Sequence, residues 1–189
     1  MNIAAILLAA GRSRRFGRED KLAMPLAGSP LGLHAARTLA RLPLQSRYVV
    51  CAGSFPACAG FVVVQNDHPE TGLGRSIALG LSAAREAGAD AVLLALADMP
   101  FVPLPHFERL LQHHAGAATI AASTDGTTVM PPALFGSEWF DALLGLSGDV
   151  GARSLLRHAK TVRASPDELL DIDHPDDLVR ARAVSLDTC

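Results

Sequence analysis

The apolar run Ile3 to Leu8 ends at a glycine, Gly11, and the chain then carries Arg12, Arg14, Arg15, Gly17 and Lys21. A short apolar stretch closed by glycine is the pattern of a strand covered on both faces, as in a parallel sheet. The segment that follows is cationic and ill suited to a core. Its backbone N–H groups, arginines and lysine suit a polyphosphate.

The rest of the chain repeats this alternation. Arg47 to Ala52, Phe61 to Gln65, Ala91 to Ala97 and Ala117 to Ala122 read as strands, and Leu169 to Ile172 as a short one. Between them, Pro30 to Leu42 reads as a helix with Ser29 as its N-cap and Pro30 in its first turn. Gly74 to Ala87, Pro105 to His114, Ser137 to Leu146, Gly151 to Ala159 and Pro175 to Ala183 also have helical spacing or helix-start residues. Strands alternating with helices predict a three-layer Rossmann-like α/β fold with a mainly parallel sheet. Ligands in such folds bind beyond the carboxyl ends of the strands. That rule selects Gly11 to Lys21, Asp98 and Asp173.

At 189 residues, with no repeat or linker, the chain is expected to form one domain spanning 1–189. The net charge of -2 argues against a nucleic-acid or membrane-surface binder. Cys51, Cys58 and Cys189 lack CxxC spacing, as expected of incidental thiols in a reducing compartment. No positive charge precedes the first apolar run, which is also short for a signal peptide, so a cytoplasmic protein is expected. His106, His113 and His114 share one predicted helix without metal-binding spacing and are expected on a solvated face.

Two familiar phosphate loops fail on spacing. A dinucleotide fingerprint needs a glycine where Ser13 stands, and a P-loop needs four residues between its glycines where five stand here.

The stretch LAAGRSRRFGREDKLAMPLAGSPL resembles the signature of nucleotidyltransferases of the molybdenum cofactor cytidylyltransferase type, within the MobA-like NTP transferase family. Four further blocks are similar to that family in the same order: NDHPETGLGRSIALGL, LLALADMPFV, LSGDVGARSLL and DIDHPDDL. The resemblance implies a nucleotide-diphospho-sugar transferase-like fold. It implies a reaction in which a phosphate of the molybdopterin-type cofactor attacks the α-phosphorus of a nucleoside triphosphate and pyrophosphate leaves. Catalysis of that kind is mostly positioning and electrostatic stabilisation.

Carried onto this chain, the resemblance places Leu8, Ala9, Ala10 and Gly11 against the nucleotide, Arg15 on the leaving phosphates and Lys21 at the α-phosphate. Asp98 is the expected Mg²⁺ (or Mn²⁺) ligand, with Asp173 as the second and Asp171 as its substitute. Asp98 would otherwise be a turn cap, and Asp173 a cap for the helix at Pro175. Gly72, Gly74 and Ser76 either contact the nucleotide or make a tight helix entry. Asn66 is a nucleotide contact or a turn residue, and Asp149 and Arg153 face the pterin or form a salt-bridged helix start.

The form LAAG, with Ala10 where guanylyl-transferring relatives have glycine, implies CTP as the donor. The segment TTVMPPALF departs from the family's R-G-H-P-like block, which opens the question of the acceptor. Three functions follow: CMP transfer from CTP to a molybdopterin-type cofactor; transfer to another phosphorylated acceptor, or from GTP or ATP; and non-catalytic nucleotide binding that delivers cofactor to a recipient molybdoenzyme or its chaperone.

Overall fold

A computed structural model describes residues 2–11, 16, 20–148 and 152–186. Arg15 and Asp149, assigned above from the sequence, lie outside these residues.

Strand β1 (Ile3–Ala9) is buried along its whole length, as its unbroken apolar sequence predicts. It lies between β4 (Ser46–Cys51) and β6 (Ala91–Leu96), parallel to both. The full sheet runs β5-β4-β1-β6-β8-β7-β9, where β5 is Val62–Gln65, β7 Ile120–Thr124, β8 Val129–Gly136 and β9 Lys160–Arg163. Strand β8 opposes both neighbours, whereas every other neighbouring pair is parallel.

Side chains alternate across β1 and split the core. Ala5, Leu7 and Ala9 face a layer containing α1 (Gly32–Ala40), α3 (Leu104–Gln112) and α6 (Pro175–Leu186). Ala4, Ile6 and Leu8 face α2 (Leu73–Glu86), α4 (Phe140–Leu144) and α5 (Arg153–Leu156). The three-layer α/β expectation holds.

From β1 the chain steps outward to β4 and β5, then returns on β6 to the other side of β1. The carboxyl ends of β1 and β6 therefore flank a switch point, where an open α/β sheet leaves a crevice.

Several predicted elements differ. The helix expected from Pro30 starts at Gly32, because Ser29–Pro30 (β3) pairs with Pro25–Leu26 (β2) in a small hairpin. Ala27 (φ 45°) and Gly28 (φ 75°) form its turn, and positive φ at both central residues explains the glycine. Strands β8 and β9 were not predicted. Two prolines mask β8, and β9 is four residues long with one buried side chain, Val162. Residues 169–172 are not a strand. They form a turn and an extended crossing, joined to the end of β6 by one backbone bond from Ile172 N to Asp98 O (3.0 Å). His106 is fully buried rather than solvated.

Helix α2 lies close against β1 because Gly80 has no side chain. A β-carbon there would stand 2.5 Å from Ile6 Cγ2 and 3.0 Å from Val50 Cγ2. Gly80→Val is expected to destabilise the protein by about 1–3 kcal/mol, the usual effect of overpacking. Thermal unfolding should report this as a loss of about 2–4 °C per kcal/mol in a chain of this size. An unchanged Tm would show that the two layers are not in contact at this point.

Candidate active site

Lys21 is the centre of the site. It opens a 3₁₀ turn, Lys21–Ala23, that Asp20 caps by accepting the Leu22 N–H (3.0 Å). Leu22 is buried in the core, so the turn is anchored and Lys21 is held beside it. Its Nζ lies 2.6 Å from Asp98 Oδ2 and 3.1 Å from Asp173 Oδ1, and donates to the Ile172 carbonyl (2.8 Å). One ammonium thus joins the segment after β1, the end of β6 and the segment entering α6.

Burial works against the charge on Lys21. The Asp98 carboxylate, with help from Asp171 and Asp173, outweighs it and raises the pKa above its ordinary value. The lysine stays cationic.

Asp98, Asp171 and Asp173 place one carboxylate oxygen each within 4.8 Å of one another. Asp171 is pushed up to about 7, first by lost hydration and then by the Asp98 and Asp173 charges. Asp98 Oδ1 is buried and has no hydrogen-bond partner. Among the described residues, three carboxyl groups meet one ammonium, and a buried carboxylate oxygen is left without a hydrogen bond. Both are what a hard divalent cation with oxygen ligands corrects. Asp177, in the first turn of α6, accepts from the backbone N–H groups of Asp173 (3.0 Å) and His174 (2.7 Å) and so fixes the helix entry, while the Asp173 carboxylate lies on Lys21.

The cluster opens into a cavity of about 1040 Å³ on the α2/α5 face of the sheet. Its floor is apolar, built from Leu8, Leu94, Leu96, Ala133 and Phe135. Its rim carries Ala10, Gly11, Gly72, Ser76 and Arg153. Gly11 has no described atom within 4 Å of a would-be β-carbon and no positive φ. Space at the cavity rim is what it provides. Arg153 makes no ion pair with a described residue.

Other sequence-selected residues sit elsewhere. Ala9 points into the opposite core layer. Asn66 is fully buried and does not line the cavity. It donates to Ser76 Oγ (2.9 Å) and accepts from the His68 backbone (3.0 Å) and Arg75 Nε (3.1 Å), fixing the start of α2 from behind. Gly74 is absent from the cavity wall because it packs on the Leu146 carbonyl, 2.7 Å from a would-be β-carbon. Gly72, on the cavity rim, has φ 96°, and a β-carbon there would stand 2.4 Å from Gly148, so backbone and packing also call for glycine. Met130 and Pro131, in the divergent segment TTVMPPALF that the sequence ties to the acceptor, line the wall, and so do Leu169 and Glu70, which carry no sequence signal.

A family model for the MobA-like NTP transferase domain matches residues 5–164. The purine catabolism protein PucB of Bacillus subtilis is 32% identical, over 97% of this chain and 98% of that one. A molybdenum cofactor guanylyltransferase of Rhodobacter capsulatus is 35% identical, over 96% of this chain and 95% of that one. Among solved structures, a nucleotidyl transferase from Methanothermobacter superposes with a TM-score of 0.81 at 26% identity, covering 100% of this chain and 99% of that one. With its switch-point cavity and the signature residues that line it, the chain belongs to the MobA-like NTP transferase domain family of nucleotidyltransferases.

Proposed function

We propose that residues 1–189 form one cytoplasmic nucleotidyltransferase unit that moves CMP from CTP onto the phosphate of a molybdopterin-type cofactor. The observation that carries this reading is the Lys21–carboxylate cluster opening onto an apolar-floored cavity at the switch point. An apolar floor suits flat heterocycles, and a volume of about 1040 Å³ lies at the upper end of small-molecule sites. The modified cofactor would pass to a recipient molybdoenzyme or its chaperone.

In the reaction, an oxygen of the acceptor phosphate forms a bond to the α-phosphorus. The bond from that phosphorus to the bridging oxygen breaks, and pyrophosphate leaves with the electron pair. Lys21, kept charged by Asp98, offsets negative charge that builds on the α-phosphoryl oxygens. Gly11 lets the phosphates approach the backbone. Arg153, at the start of α5, holds the acceptor phosphate on the far flank. Asp98 and Asp173, with Asp171 beside them, would hold Mg²⁺ or Mn²⁺, which would supply positive charge for the triphosphate at this acidic corner.

A second reading, GTP as donor, is favoured by the relatives named molybdenum cofactor guanylyltransferase. Ala10 argues for CTP. Ala10 lines the cavity, and in this reading its methyl group would narrow the space for the base and favour a pyrimidine over a purine. One such contact discriminates by roughly 1–3 kcal/mol.

Two outcomes are expected. Asp98→Asn should keep the fold, because Asp173 still pairs with Lys21, and should lose about 10²–10³ in kcat, the usual effect of deleting one strong electrostatic contributor. Pyrophosphate release at limiting Mg²⁺ measures this, and near-normal turnover in the folded variant would remove Asp98 from the mechanism. The ratio of kcat/KM for CTP to that for GTP should exceed one and fall in Ala10→Gly by about tenfold or more. A wild-type preference for GTP would overturn the cytidylyl reading and leave the nucleotidyltransferase reading standing.

A further inference from the structure

The histidine expected on a solvated face is buried behind the cavity wall. His106 and Ser123 are both fully buried and meet at 2.7 Å, Nε2 to Oγ. Ser123 Oγ donates to the Pro132 carbonyl (2.8 Å). That carbonyl can only accept, so the serine proton is committed to it and Ser123 must accept from His106. His106 therefore carries its proton on Nε2. Its Nδ1 accepts from Arg109 Nη2 (3.1 Å), which also donates to the Arg163 carbonyl (3.2 Å). Burial and then the Arg109 charge push the His106 pKa down to about 4, so the ring is neutral at physiological pH. Each polar atom of this chain has a partner, an arrangement that fixes one geometry.

The chain ends at an irregularity in the sheet. Ala122 pairs with Ala133, but the next residue, Ser123, pairs with Met130. Pro131 and Pro132 are therefore two extra residues on β8. Neither has an N–H to give to a ladder, and prolines in sheets are confined to edges and bulges. A bulge re-aims side chains, often beside an active site. Here Met130 and Pro131 become part of the cavity wall. Ser123 holds the bulge through a hydrogen bond to the Pro132 carbonyl.

The side of the cavity follows from topology. Ala10 and Gly11 lie at the end of β1, and β8 lies on the far side of β6 from β1. The bulge thus stands across Asp98 from the residues that would read the nucleotide, on the same flank as Arg153.

We propose that His106 and Ser123 are positioning residues that pin the Met130–Pro131 bulge and so shape the subsite for the phosphorylated acceptor rather than for the nucleotide. The side of the cavity assigned to the acceptor rests on the reading given under Proposed function. The pin itself is independent of it.

The experiment has a structural and a kinetic arm, applied to His106→Leu, Ser123→Ala and His106→Gln in the whole chain. Glutamine offers a donor near the Nε2 position and an acceptor for Arg109, so it should restore the chain. Amide exchange by mass spectrometry, with no ligand added, should be faster across 129–136 in the first two variants and near wild type in the third. Equal exchange in all three would overturn the pin.

In pyrophosphate-release assays, the first two variants should raise the KM for the acceptor by about tenfold, the scale of one lost buried hydrogen bond. The nucleotide KM and kcat should stay within about twofold, a change too small to represent a lost hydrogen bond. His106→Gln should recover the acceptor KM. A comparable rise in the nucleotide KM would overturn the assignment of the subsite.

Met130→Ala, a change at the wall itself, should reproduce the selective rise, and a wild-type acceptor KM in that variant would also overturn it. If no molybdopterin-type acceptor turns over, the function proposed above fails, while the exchange arm still decides the pin.

Discussion

The ion pair between Lys21 and Asp98 joins two parts of the chain that local folding leaves apart. Its lysine comes from the turn after the first strand and its carboxylate from the end of the fourth strand of the parallel set. The third partner, the segment at Ile172 and Asp173, follows the last strand of the sheet in the chain. Asp173 and the Ile172 carbonyl share the ammonium with Asp98, so three separate segments meet on one charge. The pair also puts charge at the point where the sheet's topology opens a crevice. Fold and chemistry are therefore set by the same contact.

Around that contact the cavity separates two kinds of recognition. The floor is apolar because β1, β6 and β8 are buried strands whose alternate side chains face α2 and α5. The charged groups come from strand ends and loops, where the backbone is not committed to the ladder. Strand β8 differs from its neighbours in running against them, and this direction carries its bulge to the cavity wall. A parallel strand in its place would present a regular edge there.

The sequence showed the parts of the fold that obey simple periodicity. The run Ile3 to Leu8 reads as a buried strand because it is one on both faces, and α2 reads as a helix because Ile77, Leu81 and Ala84 share one side. Elements whose stability comes from distant contacts were not legible. Strand β8 carries two prolines that its own spacing cannot explain, and the Ser123 hydroxyl that accommodates them is a tertiary feature. Leu169 to Ile172 has a strand's composition. Lys21 and Asp98 take hydrogen-bonding positions that a neighbouring strand would otherwise fill.

In the site, the strand-end rule and the family resemblance selected Lys21, Asp98 and Asp173, which the structure brings within bonding distance of one another through the lysine. The structure puts Gly72 on the cavity rim and Asn66 and Gly74 behind it. Their demands come from packing at the start of α2, and packing of this kind looks like ligand binding in a sequence. His106 was misread because the helix pattern gives its face but not its depth. Direct titration of Mn²⁺ followed by electron paramagnetic resonance tests the central claim most closely. The account predicts a site in the wild type whose affinity strengthens when CTP is added and falls by at least about tenfold in Asp98→Asn, in line with loss of a charged ligand. Equal Mn²⁺ affinity in the wild type and in folded Asp98→Asn, with and without nucleotide, would contradict it.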